Sequence, residues 1–362
     1  MSARDHAEVL VNLAAYRRNL ETLIRAVAPS RLMAVVKSDG YGHGLLALAH
    51  VAESAGITDL GALDLETALA LRAGGISEQV SVFAWLYTPQ DDIAAAVAAG
   101  IDIGVSNISE LKAIATAGAA ATAGAASPAR IHLKIDTGLH RNGADEQEWP
   151  GLIAAARAAE EAGAVRITGA WTHISEASAE EDSAAIARFV SAVSVAEALG
   201  AEFEVRHLAA SAAGYARPDS RFDLVRMGAF TLGISPGGGI TADELGLEPV
   251  MTLQSRVERI TEDHGTLLGL VPMGSGDGIL SECAGRMSVA IAGRRYPISS
   301  VTLDGMSVEV DQNVAPGDTV TLFGPGAHGE PTLQEWADAL GTIGEEIVVR
   351  LSPLITRRYF GR

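Results

Sequence analysis

A single lysine stands where an apolar segment meets a glycine-rich one. Residues 34–44 read AVVKSDGYGHG, which places Lys37 directly after a β-branched run. A lysine at the end of a buried strand is partly desolvated, which lowers its pKa and favours the neutral, nucleophilic amine. Such an amine can form a Schiff base with a carbonyl compound. The alternative is a lysine that marks the solvated end of a strand, and Tyr41 and His43 taken alone are ordinary loop residues.

The elements that must position Lys37 alternate between two types through the first two-thirds of the chain. Short apolar runs are followed by longer alanine-rich segments with helical spacing, such as LDLETALALRAGG and GLIAAARAAEEAGA. The apolar runs are residues 32–36, 80–83, 101–105, 131–135, 167–171, 203–207 and 224–228. Continuous apolar strands between helices indicate parallel strands buried on both faces. Seven or eight such units in about 230 residues predict an α/β fold with an N-terminal (β/α)8 TIM-type barrel, whose chemistry lies at the C-terminal strand ends.

The character of the chain changes after about residue 240. Residues 288–310 alternate apolar and polar side chains, 314–326 have a turn–strand–turn pattern, and we expect the same strand pattern in 343–353. Residues 236–239, Pro-Gly-Gly-Gly, form a plausible junction. We therefore predict a barrel over residues 1–236 and a smaller, mainly β C-terminal domain over 237–362.

The composition limits the classes of molecule that the protein is expected to bind. Lys and Arg total 27 and Asp and Glu total 45, a formal charge of −18 for 362 residues. This excess argues against nucleic acid and anionic membranes as partners, and no apolar run reaches the roughly 18–20 residues that span a bilayer. The single cysteine, Cys283, excludes an intramolecular disulfide and a cysteine-built zinc site. A reducing, cytoplasmic location is the natural expectation.

The segment 34–44 resembles the pyridoxal-phosphate attachment motif of the alanine racemases, which are fold-type III enzymes. It departs from the motif at Ser38, where the family usually has alanine. Further segments resemble family segments in the same order and together run through nearly the whole chain. They are residues 132–143, 169–175, 209–214, 224–236, 271–278 and 301–310. The resemblance implies a barrel with a C-terminal β domain, pyridoxal 5'-phosphate as cofactor, a small amino-acid substrate and a homodimer with composite active sites.

The resemblance assigns most cofactor contacts to the barrel. Lys37 matches the Schiff-base lysine, which is also one of two proton-transfer bases, and Arg226 matches the arginine that faces the pyridine nitrogen. The other matching positions are His173, which stacks on the ring, and Tyr41, Ser211 and Gly228 around the phosphate. A guanidinium has no acceptor, so a nitrogen facing it stays unprotonated. The weaker electron sink that results suits racemisation and disfavours transamination.

Two further positions resemble residues of the substrate site. Arg141 matches an arginine near the substrate carboxylate and the second catalytic group, and its fork suits a carboxylate. Lys134 matches a lysine that family members often carbamylate, which converts a cation into an anion that can pair with Arg141. Without their motifs, Arg226, His173 and Ser211 are the kinds of residue that also serve purely structural roles.

The departures from the family fall mainly in the C-terminal region. Ser275 stands where the family has the tyrosine that the partner subunit supplies as the second base. Two bases on opposite faces of the α-carbon are what interconvert enantiomers directly, and a serine hydroxyl is far less acidic than a phenol, whose pKa is about 10. Ser275 could relay a proton through water, or it is simply a small residue in a glycine-rich turn.

Two more departures affect the substrate and phosphate ends of the site. Leu303 replaces a methionine that lines the substrate site, beside the retained Asp304. Glu345 aligns with a tyrosine that bonds the phosphate. A carboxylate about 4 Å from a phosphate would cost roughly 4 kcal/mol per charge pair at an effective dielectric of 20. We therefore expect Glu345 to point away or to be protonated, unless the alignment is shifted by one residue there.

The pattern leaves three functions open. The first is an alanine racemase with weakened or altered second-base chemistry, in which Lys37 acts on one face and Ser275 or a water on the other. The second is a pyridoxal-phosphate enzyme with a different amino-acid substrate or reaction and Lys37 as its only base. The third is a non-catalytic pyridoxal-phosphate-binding protein. Ser275 separates the first function from the others, whereas Lys37 and Ser211 do not.

Overall fold

The computed structural model describes residues 7–124 and 127–361, in which strands and helices alternate before a mainly β region. The strands in these ranges are β1 (Glu8–Asn12), β2 (Arg31–Val35), β3 (Asp59–Asp64), β4 (Ser81–Leu86), β5 (Asp102–Val105), β6 (Ala129–Lys134), β7 (Val165–Trp171), β8 (Val205–His207), β9 (Leu224–Met227), β10 (Met251–Arg256), β11 (Arg259–Asp263), β12 (Thr266–Val271), β13 (Ser288–Ile291), β14 (Arg294–Val301), β15 (Met306–Val310), β16 (Thr319–Phe323) and β17 (Thr356–Phe360). The helices are α1 (Leu13–Val27), α2 (Lys37–Tyr41), α3 (Leu45–Ser54), α4 (Leu65–Ala73), α5 (Ile93–Ala98), α6 (Ile108–Ala123), α7 (Trp149–Glu161), α8 (Ala179–Ala198), α9 (Ser211–Ala216), α10 (Leu333–Leu340) and α11 (Gly344–Arg350). None of these helices is long and apolar enough to cross a bilayer.

The predicted barrel is confirmed. Among the described residues, eight strands lie in the order β8-β7-β6-β5-β4-β3-β2-β9, and neighbouring strands pair in parallel. β8 and β9 approach each other through backbone bonds from Asp223 N to Arg206 O and from Arg226 N to Ala209 O, each 3.1 Å. The result is a nearly closed TIM-type barrel, so side chains at the carboxyl ends of the strands share one rim.

Aromatic rings fill part of the barrel interior. Phe83 is fully buried and stacks on His132 with ring centroids 4.6 Å apart, and Trp171 stacks on His207 at 5.6 Å. Trp171 and Phe83 belong to a buried cluster with apolar side chains of β2, β8 and β9. Two histidines therefore lie inside an apolar core, where they require polar partners.

One barrel strand was missing from the sequence prediction. The seven apolar runs overlap β2 and β4 to β9, and the two alanine-rich segments contain α4 and most of α7. However, β3 reads DLGALD and starts and ends with aspartate. Gly61 lies at its centre because a Cβ there would be 3.0 Å from the Val35 side chain and 3.1 Å from Met33 sulfur. Close packing therefore requires a glycine that weakens the apolar pattern of this strand.

The mainly β region forms a second sheet. Its order is β11-β12-β15-β14-β13-β16-β10-β1-β17 in the residues that the structure describes, with β1 and β17 parallel and the other pairs antiparallel. The C-terminal domain is thus mostly β as predicted, although it takes in an N-terminal strand.

The strand expected in 343–353 is wrong, because this segment contains α11. The residues on its buried face are Gly344, Ile347, Val348 and Leu351. Their spacing is helical, and the acidic residues in the first turn and Arg350 in the last turn also favour a helix. The three consecutive β-branched residues 347–349 produced the misleading strand signal.

The chain divides into two compact units. One consists of Leu23–Lys37 and Ala52–Gly228, and the described residues of the other are 7–22, 38–51 and 229–361. The second unit therefore includes the segment that directly follows Lys37. The predicted domain boundary at residue 236 stays a prediction.

Candidate active site

Lys37 lies directly after β2, where the backbone leaves the strand in a left-handed turn. Ser38, Asp39 and Gly40 have φ values of 53°, 53° and 60°, and Tyr41 follows at 54°. For residues that carry a Cβ, this conformation costs roughly 1–2 kcal/mol each. Strain of this kind persists only where surrounding contacts hold it, so the turn after Lys37 is one that the fold specifically maintains.

Buried contacts hold the left-handed turn. His43 Nδ1 lies 2.9 Å from Tyr41 O and 3.0 Å from Gly40 O, and Arg357 Nε donates to Gly42 O at 3.1 Å. Burial lowers the pKa of His43 to about 4, which keeps the ring neutral. A neutral ring with the proton on Nδ1 donates to these carbonyls, so His43 acts as an internal clamp on the turn.

Arg226, on β9, is buried and donates to four acceptors. Its Nη1 lies 2.9 Å from His207 Nδ1, and its Nη2 lies 3.0 Å from His173 Nδ1 and from the carbonyl oxygens of Thr172 and Leu208. A guanidinium only donates, so both Nδ1 atoms accept. Burial lowers the pKa of Arg226 to about 9, which leaves it charged at neutral pH.

A chain of polar contacts runs from Arg226 through the barrel core. His207 accepts at Nδ1 and therefore carries its proton on Nε2, which lies 2.9 Å from His132 Nδ1. His132 Nε2 then faces Asp102 Oδ1 at 3.9 Å, and Asp102 pairs with Arg130 at 2.7 Å. Burial lowers the pKa of His132 to about 4 and that of His207 well below its usual value. Both rings are neutral, and the N–H group of each ring points away from Arg226.

Lys134 lies at the end of β6 in a positively charged environment. It is buried, its Nζ is 4.4 Å from the centre of the Trp171 ring, and it donates to Asn142 Oδ1. Burial, and then the positive charges of Arg226 and Arg141, lower the pKa of Lys134 to about 7. A substantial fraction of this lysine is therefore a neutral amine at neutral pH.

The barrel brings four of the predicted residues close to His173. Burial lowers the pKa of His173 to about 2, and the charges of Arg226, Arg141, Lys134 and Lys37 act in the same direction. These four side chains come from three strands, β2, β6 and β9, or from the segments after them, so the barrel is what collects them. Such a cluster strongly favours an anionic ligand.

A cavity of about 290 Å³ opens beside His173, lined by the segments that follow β6 and β7. Its polar lining residues are Thr137, His140, His173, Ser175, Glu181 and Arg188. The volume is at the lower end of small-molecule sites, which span roughly 300–1,000 Å³. The barrel therefore has room for a ligand of amino-acid size beside its cation cluster.

Ser211 and Gly228 lie where the barrel strands β8 and β9 end. Ser211 begins α9, and Gly228 directly follows β9. Sequence reasoning missed a third residue here, Glu176, whose Oε1 accepts the N–H of Ala213 at 2.8 Å. The one signal in the sequence is an acidic residue placed just after the THIS segment that contains His173.

The candidate residues of the C-terminal region lie together in the second unit. The turn with Ser275 bonds to the turn with Leu303, through Ser275 N to Thr302 O and Gly276 N to Leu303 O, each 2.9 Å. Gly274 permits this approach, because a Cβ there would lie 2.4 Å from Thr302 O. Ser275 and Asp304 are exposed, and Leu303 is 66% exposed. These side chains present themselves to solvent rather than to their own core.

The expectation that Glu345 points away or is protonated, unless the alignment is shifted by one residue, stays a prediction. α11 packs on the left-handed turn, since a Cβ on Gly42 would lie 2.8 Å from Val348 O. Glu345 lies on this helix one turn earlier. Burial, and then the charge of Glu345, raise the pKa of Tyr41. The carboxylate therefore acts on the phenol that matches a phosphate contact.

Comparison with known proteins accounts for almost the whole chain. The family described as "Alanine racemase, N-terminal domain" matches residues 11–236, and "Alanine racemase, C-terminal domain" matches residues 253–359. The alanine racemase of Thermobifida fusca is 41% identical over 98% of each chain. The crystal structure of alanine racemase from Streptomyces lavendulae superimposes with a TM-score of 0.94 at 35% identity, over 99% of this chain and 97% of that one. The Streptomyces coelicolor enzyme gives 0.94 at 37% identity, over 99% and 98%.

Proposed function

The chain belongs to the alanine racemase family, whose members are fold-type III enzymes that depend on pyridoxal phosphate, and from this premise we propose that it interconverts L- and D-alanine with a weakened second proton transfer. The observation that carries the proposal is the convergence of Lys37, Lys134, Arg141 and Arg226 on His173 at one end of the barrel. These residue types are the ones an amino-acid-binding, aldehyde-dependent site requires.

The barrel residues fit the chemical groups of the cofactor. Lys37 offers an amine for the aldehyde, His173 offers a neutral ring face for the pyridine, and Ser211 with the backbone at Gly228 offers donors for the phosphate. When bound, pyridoxal phosphate supplies an electron sink that acidifies the α-carbon of an amino acid. The family resemblance also assigns a phosphate contact to Tyr41.

Lys37 and Arg226 divide the proton chemistry in this proposal. The Lys37 amine removes or returns the α-proton on one face of the substrate. Arg226 has only N–H donors to offer, and its partners His207 and His173 accept rather than supply protons. A pyridine nitrogen held beside Arg226 would stay unprotonated, which would weaken the electron sink and suit racemisation.

Arg141 and Lys134 are proposed to hold the substrate carboxylate. The neutral fraction of Lys134, whose pKa is lowered to about 7, can attack carbon dioxide so that an N–C bond forms and one proton leaves to water. The resulting carbamate is an anion that can pair with Arg141 and fix the direction of its fork. Carbamylation of Lys134 is thus part of the proposal.

The second face of the α-carbon is the weak point. Ser275 has a short side chain and an alcohol in place of a phenol, so any proton it passes must travel through water. A positioned acid–base group contributes about 10²–10⁴-fold in rate, and a serine provides much less of this rate acceleration. We propose that racemisation is correspondingly slow.

The same serine favours a second candidate function. Lys37 is then the only base, and a serine leaves free the volume that a tyrosine side chain would fill. Such a site suits a bulkier amino acid or a reaction confined to one enantiomer. A third arrangement, a protein that binds the cofactor without catalysis, predicts no exchange of the α-proton of any amino acid. Deuterium exchange into amino acids of both configurations separates the three.

The working unit is proposed to be a homodimer in the cytoplasm. Exposed Ser275, Leu303 and Asp304 form a polar and apolar patch suited to complete a partner's site rather than their own. A small amino acid is the substrate, and neither nucleic acid nor a membrane takes part. Sedimentation should give twice the monomer mass of 37.4 kDa.

Borohydride trapping tests the attachment site. The chain has three lysines, Lys37, Lys112 and Lys134, so the reduced adduct has three possible side-chain positions. Peptide mapping should find it on Lys37, with Lys112 on the exposed surface of α6 as the internal control. An adduct on Lys134, or none at all in protein incubated with pyridoxal phosphate, contradicts the proposal.

A further inference from the structure

Glu176 lies in the loop after β7, three residues beyond His173, and takes no part in the function proposed above. Its backbone is left-handed, with φ of 56°, and its N–H donates to Asp182 Oδ1 at 3.1 Å. A glutamate in this conformation is uncommon. The loop therefore fixes the point from which the Glu176 side chain starts.

The Glu176 carboxylate takes the backbone donors that follow Ser211. Its Oε1 accepts the N–H of Ala213 at 2.8 Å, and the N–H of Ala212 bonds the same carboxylate. Burial raises the pKa of Glu176, while the two backbone hydrogen bonds and the charge of Arg226 act in the opposite direction. The segment proposed to receive the cofactor phosphate thus already contains a carboxyl group supplied by the protein.

We propose that Glu176 makes the cofactor site discriminate against phosphate; this inference rests on the function proposed above. A phosphate that reaches Ser211 must displace the carboxylate from Ala212 and Ala213 or lie next to it, and like charges in one site repel. The ring and aldehyde bind through Lys37, His173 and Arg226 in either case. The affinity for pyridoxal phosphate therefore exceeds the affinity for unphosphorylated pyridoxal by a smaller factor than the donors around Ser211 alone would give.

A purely structural role for Glu176 predicts a different result. Ala210, which precedes α9, has no side-chain acceptor, so Glu176 could act only as a substitute acceptor for the N–H groups of Ala212 and Ala213. Glutamine keeps an acceptor oxygen and removes the charge. Glu176→Gln therefore separates competition by charge from simple capping.

The experiment compares the affinities of two aldehydes. Cofactor-stripped protein is titrated with pyridoxal phosphate and with pyridoxal, followed by the visible absorbance of the lysine adduct. Glu176→Gln should bind pyridoxal phosphate at least about tenfold more tightly, the effect of roughly 1.4 kcal/mol, with pyridoxal affinity unchanged. Glu180→Gln and Glu346→Gln, which remove equal charge at exposed positions, should not change the ratio of the two affinities.

The outcomes distinguish this inference from the proposed function. Equal changes for both aldehydes, or no change for either aldehyde in Glu176→Gln, overturn the inference while leaving the proposed function intact. A protein that forms no Lys37 adduct with either aldehyde overturns the proposed function and this inference with it. A change in the controls equal to that in Glu176→Gln also overturns it, because the effect is then one of net charge.

Discussion

The barrel and the C-terminal region hold several of their residues in opposite ways. In the barrel, Lys134, His207 and Arg226 are 2%, 0% and 4% exposed. Lys134 donates to Asn142, and His207 and Arg226 each have two or more polar partners. In the C-terminal region, Ser275 and Leu303 are exposed, on two turns that bond through their backbones. A buried residue cannot change without orphaning its partners, whereas an exposed turn residue changes at little cost in stability. The difference supports the proposal that cofactor chemistry persists in the barrel while the substrate side diverges.

The largest expected effect comes from removing the buried guanidinium. Arg226→Ala leaves two histidine nitrogens and two carbonyl oxygens without a donor, at about 1–3 kcal/mol for each buried group that stays unsatisfied. The urea midpoint should fall clearly. Arg294→Ala, in the C-terminal region, removes an arginine that is 65% exposed and should leave the midpoint nearly unchanged. Equal shifts of the urea midpoint in Arg226→Ala and Arg294→Ala would contradict the difference between the two regions.

The pH dependence of stability provides a second, smaller effect. The pKa of Lys134 is lowered to about 7 from an ordinary 10.5, so the unfolded chain binds more protons between these values. The free energy of unfolding should therefore rise as the pH rises from 7 to 10. Lys134→Met should flatten this slope in buffer free of carbon dioxide, and Lys112→Met should not. A slope that is the same in Lys134→Met and the wild type contradicts the burial of a lysine amine.

The smallest expected effect concerns Leu303. Leu303→Met conserves side-chain volume at a position that is 66% exposed, so the urea midpoint should not move. The KM for alanine should change by less than about threefold. A larger change in KM would show that the C-terminal region determines substrate fit more strongly than its exposed geometry indicates.

Local pattern predicted most of the barrel but not the contacts that depend on tertiary packing. Seven of the eight barrel strands have apolar runs, whereas β3 is broken by Gly61, whose role is visible only beside Val35. α11 was mistaken for a strand because Ile347 and Val348 are β-branched, and its helical face emerges only when Gly344 and Leu351 are known to be buried.

The candidate site shows the same division. Motif resemblance found Lys37, His173, Ser211 and Arg226, because each lies in a recognisable segment. The His132–His207 contact joins residues that are 75 positions apart, and Glu176 has no periodicity or motif of its own. Such pairings are fixed by strand order and loop conformation, which a single sequence does not display.

The central claim is that cofactor chemistry persists in the barrel while the second base is lost from the C-terminal region. Solvent-deuterium exchange with L- and D-alanine, in the wild type and in Ser275→Tyr, tests it most directly, with Ser281→Tyr as a control at another exposed serine. The account predicts that the wild type exchanges the α-proton faster than it racemises, and that Ser275→Tyr raises racemisation about tenfold or more while Ser281→Tyr does not. Rapid racemisation by the wild type with no gain in Ser275→Tyr would contradict it.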